Sequence, residues 1–374
     1  MIEFEKLAAM APDLCFELAD GMPVVKLGLI ATVYFKEGYT TTKKIKVIEC
    51  FRAFYEQFGK HLRGQLQDKY RKLTPDTFEK AAAAIVTSGG NDRYELQLTS
   101  ASSTKDAEAY GISTLNSYEL HEDSARSFIK IVLPWEMLQT EAGRATYNSW
   151  LSYLCNQVNA DHGYGGLSTI LPFDYDSYLP IEFELAQKYL GLEVDSMPHS
   201  LALELIDCIK GVNWQTIIGE SFVQSLGGEN GLRHAFSGRG DISLNNYEGG
   251  LIIQAGDHPQ LGEVQEGAPK SYVAVNQVVR SLRIQEPDQL HQYSPYGNCF
   301  EEENTAEWFA RFDREDSDHN SPSRVESGQP CSKAGFWFTP AKENSRRHFD
   351  NGEIMPSFSG SSWGDTIWYW SGEE

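Results

Sequence analysis

Nine histidines (His61, His121, His162, His199, His234, His258, His291, His319 and His348) stand singly along the chain. No HExxH or HxH spacing sets two of them on one face, so a metal site of local ligands is not encoded. Asp161–His162 and Asp257–His258 are adjacent acid/base pairs, but neighbours in an extended chain project to opposite sides and rarely cooperate. No GxSxG elbow occurs. A Ser, His and Asp gathered from distant segments stays open as an enzymatic reading, because triad members need not be neighbours in sequence. GYGGLS at 163–168 lacks the Gly-Lys-Ser/Thr ending of a phosphate loop, and GGENGLR at 227–233 lacks GxGxxG order. The first reads as a tight strand entry and the second as a helix stop followed by a turn. The six cysteines, Cys15, Cys50, Cys155, Cys208, Cys299 and Cys331, show no CxxC pair. They are expected to be reduced and mostly buried. The reading is of a chain with no catalytic residue, cofactor or metal.

Charge is the stronger signal. Lys plus Arg number 32 against 53 Asp plus Glu, a formal net charge of −21. Such a surface repels phosphate backbones, which argues against direct nucleic-acid binding, and it speeds capture of a basic protein partner. Acidity that serves only solubility is the plain alternative. The acidity peaks between Glu301 and Glu326, where nine carboxylates face Arg311, Arg314 and Arg324. TAEWFARF within it has room for a helical turn or two, and the residues that follow read as a connector. Arg346, Arg347 and His348 form the compact basic cluster near the C-terminus. They read either as an anion contact or as ion-pair partners for the acidic stretch upstream.

The elements that would position these groups read as α+β. CFEL, the Asp20–Gly21 turn and VVKLGLIATVYF predict strand, turn, strand. Val47, Phe51, Phe54, Tyr55 and Phe58 recur at helical spacing after N-cap candidates at Thr40 to Thr42. Strands are predicted near Tyr94–Thr99, Phe128–Leu133, Gly163–Phe173 and Gly249–Gly256, and helices near Glu141–Asn159, Ile181–Leu192, Ser221–Gly228 and Ser271–Leu282. Mixed or antiparallel sheets with packed helices in two comparable halves follow, at 1–140 and 141–298. An acidic connector at 299–330 leads to an aromatic-rich β module at 331–374, with strands around Phe336–Phe338 and Trp368–Trp370 and turns at Asn351–Gly352 and Met355–Pro356. No run of about 18 apolar residues and no signal-peptide pattern is present, so the expectation is a cytoplasmic protein with no membrane partner.

GGLIIQAGDHPQLGEVQEGAPKSYVAVNQVVRSLR (249–283) resembles bacterial type VI secretion immunity proteins for VRR-Nuc nuclease effectors, in which a GL.IQAG..P.LGD strand and turn precede a helix. KLGLIATVYFKEGYTTTKK and the aromatic helix after it are similar to the family's N-terminal part. The tail from Cys331 to Trp370 is similar to a C-terminal signature, C..GWW.TPA...SR..F..GE.MP......G.T.W.W. Glu263 replaces the family's Asp with the same charge, and Phe336 stands where Trp is commoner. The resemblance implies an immunity protein, not an enzyme, whose partner is a cognate nuclease effector with a basic DNA-binding surface. Occlusion of that surface or of the active-site mouth is then expected. Under this reading Glu301, Glu302, Glu303, Glu307, Asp313, Glu315, Asp316 and Asp318 mimic phosphates, and Trp308 and Phe309 are apolar anchors. The alternatives are a solvated linker at those residues and, for the whole chain, a hydrolase with a dispersed triad or a scaffold of the secretion apparatus.

Overall fold

A computed structural model describes residues 2–313, 324–331, 334–339, 341–342, 345–358 and 366–372. It forms two compact units, 1–315 and 316–374. The boundary therefore lies within the segment read as a connector.

Eleven strands of the first unit make one sheet: β1 Phe16–Glu17, β2 Pro23–Phe35, β3 Gly64–Leu66, β4 Tyr70–Lys72, β5 Glu95–Thr99, β6 Gly111–Leu115, β7 Ser127–Pro134, β8 His162–Ile170, β9 Gln215–Gly219, β10 Ile242–Tyr247 and β11 Gly250–Ala255. Their order is β10-β11-β9-β8-β2-β7-β6-β5-β3-β4, with β1 on β2, and each of these ladders is antiparallel. Segments 1–140 and 141–298 thus share one sheet, joined where β2 pairs β8 from Lys26↔Ile170 to Tyr34↔His162.

The helices are α1 Ile2–Met10, α2 Thr41–Phe58, α3 Pro75–Thr87, α4 Glu141–Val158, α5 Leu179–Lys188, α6 Pro198–Glu204, α7 Glu220–Ser225, α8 Gly228–Ala235, α9 Lys270–Val279 and α10 Glu302–Phe309. β2 is apolar almost throughout because both of its faces are covered. Its Leu29, Ala31, Val33 and Phe35 pack in one cluster with Phe51 and Phe54 of α2, Phe78 of α3 and Trp150 and Leu154 of α4. The intervening Ile30 and Tyr34 pack on the other side with Ala186 of α5, Leu201 of α6, Leu290, Phe300 and Trp308. α2 starts where Thr40 accepts a hydrogen bond from the Lys43 amide, the cap its sequence announces.

The glycines of β8 answer to close packing. Tyr147 donates to the Ile30 carbonyl at 2.7 Å, and a Cβ on Gly165 would lie 2.2 Å from that hydroxyl. One on Gly163 would lie 2.4 Å from the Thr32 carbonyl oxygen. GYGG is therefore the interior of a central strand over which an aromatic side chain crosses.

The second unit carries β12 Arg324–Glu326, β13 Gly335–Phe338, β14 Arg347–Phe349 and β15 Ile367–Gly372, ordered β12-β15-β13-β14. Val325, Cys331, Trp337, Phe349, Met355 and Trp368 form its own core. The turn at Asn351–Gly352 is present, with Gly352 at φ 85°, where a side chain would be strained. Among the described residues no helix is long and apolar enough to cross a membrane.

Candidate functional site

The acidic residues at the end of the first unit form a surface with a definite inside and outside. Along α10, Thr305, Trp308 and Phe309 turn inward, whereas Glu302, Glu303, Ala306 and Glu307 are exposed. That split follows from helical periodicity, since 305, 308 and 309 share one stripe. Glu302 and Glu303 occupy the first turn, where a carboxylate favours the positive end of the helix. Thr305 accepts a hydrogen bond from the Leu290 amide at 3.1 Å, which ties the helix to the loop before it. That loop and the helix enclose a groove of about 940 Å³ lined by Glu286, Asp288, Tyr293, Glu301, Glu302 and Glu303, among others. The six side chains named are exposed, Tyr293 to 81%. Among the described residues none of these five carboxylates, nor Glu307 beside them, makes an ion pair. The groove therefore presents concentrated negative charge flanked by an exposed aromatic, a composition suited to a basic protein surface.

Two of the expected anchors are used internally. Trp308 and Phe309 are each 3% exposed. Trp308 stands edge-on to Phe300 and Phe309, with the Arg311 guanidinium 3.5 Å and the Lys210 ammonium 5.5 Å from its ring centre. They hold α10 to this chain's own core and offer a partner no surface, because an apolar cluster was available to bury them. Asp313 is likewise engaged. Both its oxygens accept from Arg283 at 2.6 Å, and Asn276 adds a hydrogen bond at 2.8 Å. Those bonds, Arg283's first, hold its carboxyl below the usual carboxylate range. Glu315, Asp316 and Asp318 lie outside the described residues. In the second unit Arg347 reaches Glu353 at 3.4 Å, His348 lies 3.8 Å from Asp350, and Arg346 stacks on Phe336.

Beneath α10 lies a charged layer that composition does not reveal. Asp195 accepts from Thr32 at 2.7 Å and Tyr164 at 2.5 Å, and pairs with Lys130 at 2.9 Å. Glu193 lies 2.8 Å from the Lys210 ammonium, accepts from Asn213 at 2.7 Å, and has Arg311 at 3.6 Å. Burial lowers the Arg311 guanidinium to about 10. These contacts fasten the segment after β8 to the sheet, and their charges are paired as buried charges must be.

The most triad-like group is Thr169, Glu182 and His291, all buried. Glu182 accepts from Thr169 at 2.7 Å and lies 2.9 Å from His291 Nε2, while His291 Nδ1 accepts from the Phe300 amide at 3.2 Å. Both imidazole nitrogens are occupied and the hydroxyl points to the carboxylate, so no base is left to activate a nucleophile. Asp161 and His162 diverge as adjacent strand residues do. Asp161 takes Arg126 at 2.6 Å, and His162 Nε2 meets the Leu205 carbonyl at 2.8 Å. Among the described residues no group of three His, Cys, Asp or Glu side chains is arranged to hold a metal ion.

Fold and surface together define an acidic α+β protein built on one large antiparallel sheet, with a carboxylate-lined groove at the end of the larger unit. The chain belongs to the family of type VI immunity proteins for VRR-Nuc (TsiV), whose model matches residues 46–312. That range takes in most of the sheet and the whole of α10. Its fold is similar to that of the Pseudomonas aeruginosa T6SS protein PA0821, with a TM-score of 0.73 and 21% identity, over 84% of this chain and 92% of that one. No curated protein matches the chain.

Proposed function

We propose that this protein binds and neutralises a cognate VRR-Nuc nuclease effector in the cytoplasm, by laying the groove of α10 over the nuclease's DNA-binding or active-site surface. Membership of the immunity family across residues 46–312 carries the reading. The groove supports the mode of action. Glu286, Asp288, Glu301, Glu302, Glu303 and Glu307 are exposed and make no ion pair among the described residues, so a basic DNA-gripping surface can displace water and counter-ions from them. Trp308 and Phe309 serve by holding the helix rigid under those carboxylates. The protein acts by binding alone, a role to which the fully engaged His291 and Glu182 are suited.

Co-expression with a cognate VRR-Nuc effector tests the proposal. Survival of cells making the nuclease, together with a complex isolated by pull-down, is the expected result. Cell death with no complex, when both proteins are folded, overturns it.

A further inference from the structure

A second concave site lies on the sheet face opposite α2, α3 and α4, bordered by Gln292 and Tyr296 of the loop that also lines the acidic groove. There the row Gln97↔Ser113↔Lys130 crosses β5, β6 and β7, and these residues floor a cleft of about 610 Å³. Leu171–Ser177 and the segment from Asp195 to His199 contribute its other wall.

The cleft's charges do not balance. Of its cations, Lys130 is held by Asp195 at 2.9 Å and Arg93 by Glu95 at 2.8 Å. His199 is held below the usual histidine range by burial, with Glu95 opposing and Arg93 adding to the effect, so it stays neutral at neutral pH. Asp174 accepts only the Thr104 hydroxyl, and Asp176 and Glu108 make no ion pair among the described residues. Glu108 is the decisive group, because it is only 9% exposed. Its carboxylate lies over Gly111, where an added Cβ would come within 2.4 Å of both oxygens, and it accepts from Gln97 at 3.0 Å. A glycine, a glutamine and Thr99 thus surround a buried acid that feels Lys130 and Lys26 only at a distance and makes no ion pair among the described residues. Such an acid costs stability wherever it is charged, and a site that keeps one has a use for it.

We propose that this cleft is a socket for a basic side chain of the nuclease, an arginine or lysine, with the Glu108 carboxylate as its counter-ion. The guanidinium or ammonium group enters past Ser113, takes the carboxylate's free lone pairs and leaves the Lys130–Asp195 pair undisturbed. The identity of the occupant rests on the immunity reading. The acidic groove then acts by many exposed charges and the socket by one desolvated pair. A desolvated pair is the kind that slows dissociation.

Calorimetric titration of an inactivated nuclease into the full-length protein tests the socket with two variants. Glu108→Gln keeps the shape and removes the charge, and Ser113→Arg fills the cleft with a tethered guanidinium. Each is expected to weaken the complex by at least about tenfold, mainly through faster dissociation, while the thermal midpoint of the free protein stays level or rises. Wild-type affinity in both variants overturns the socket and leaves the immunity reading standing. Loss of affinity in Ser113→Arg alone overturns the role of Glu108. Failure of the wild-type protein to bind overturns the immunity reading, and the socket's occupant with it.

Discussion

Glu108 makes a prediction that needs no partner. Burial is the largest influence on its carboxyl and pushes it up to about 7 from the usual 4.5, against the opposing pull of Thr99, Gln97, Lys130 and Lys26. The folded protein therefore binds this proton more tightly than the unfolded chain does. Between pH 4.5 and 7 the folded state carries the extra proton, so stability falls as pH rises through that window and is level on either side. The span corresponds to about 3 kcal/mol, and near-complete burial leaves little solvent screening to reduce it. Glu108→Gln is neutral at every pH and removes this term. The difference in unfolding free energy, variant minus wild type, should climb by about 3 kcal/mol from pH 4 to pH 8. Urea titrations at pH 4, 6 and 8, followed by far-UV circular dichroism dominated by the larger unit, supply that difference from the midpoints at a constant slope. A difference that stays the same at all three pH values would refute the reasoning, because it would show Glu108 to be as acidic folded as unfolded.

His162 titrates in the opposite sense. Burial, its largest influence, lowers it to about 4, so the stability of the neutral ring is fully present above pH 6.5 and is lost as pH falls through 4. His162→Gln should flatten the acid side of the stability profile by about 3 kcal/mol. Trp308→Ala should cost about 3–5 kcal/mol in urea unfolding and release α10, since it empties a fully packed site between Phe300 and Phe309. Replacing Glu301, Glu302 and Glu303 together by Gln should cost at most about 1 kcal/mol in unfolding, the loss of carboxylates at the start of α10, and slow association with the nuclease about tenfold at low salt. That effect should fade in stopped-flow measurements as salt rises, and an equal effect at high salt would argue against steering by charge.

Much of the scaffold was legible because its signals are local. The apolar run of β2, the Thr40 cap of α2 and the aromatic stripe of α4 each announce an element within a few residues. α3 has equally local signals. Thr74 and Thr77 form a capping box with Pro75 at the first helical position, and Phe78, Ala81, Ala82 and Ile85 supply the helix's buried stripe. The short strands β3, β4 and β9 lack any comparable local pattern. They exist because neighbouring strands supply their hydrogen-bond partners.

The candidate sites divide along the same line. Acidity between Glu301 and Glu307 could be counted from composition, but which of those side chains face solvent depended on where Trp308 and Phe309 found a core. Glu108 carried no signal at all. Its neighbours Gln97 and Lys130 arrive from other strands, and whether a carboxylate is solvated or buried is a property of what surrounds it in space.

By itself the sequence determined the alternation of apolar and polar residues, the caps, the net charge and the family's motifs, all of which act over a turn or a strand. Only the tertiary structure decided that both halves share one sheet through β2 and β8, that the aromatic anchors turn inward, and that Glu108 is buried in a cleft with no ion pair among the described residues. The physical reason is that burial and charge pairing depend on contacts between residues far apart in the chain, which hydrophobic periodicity does not encode.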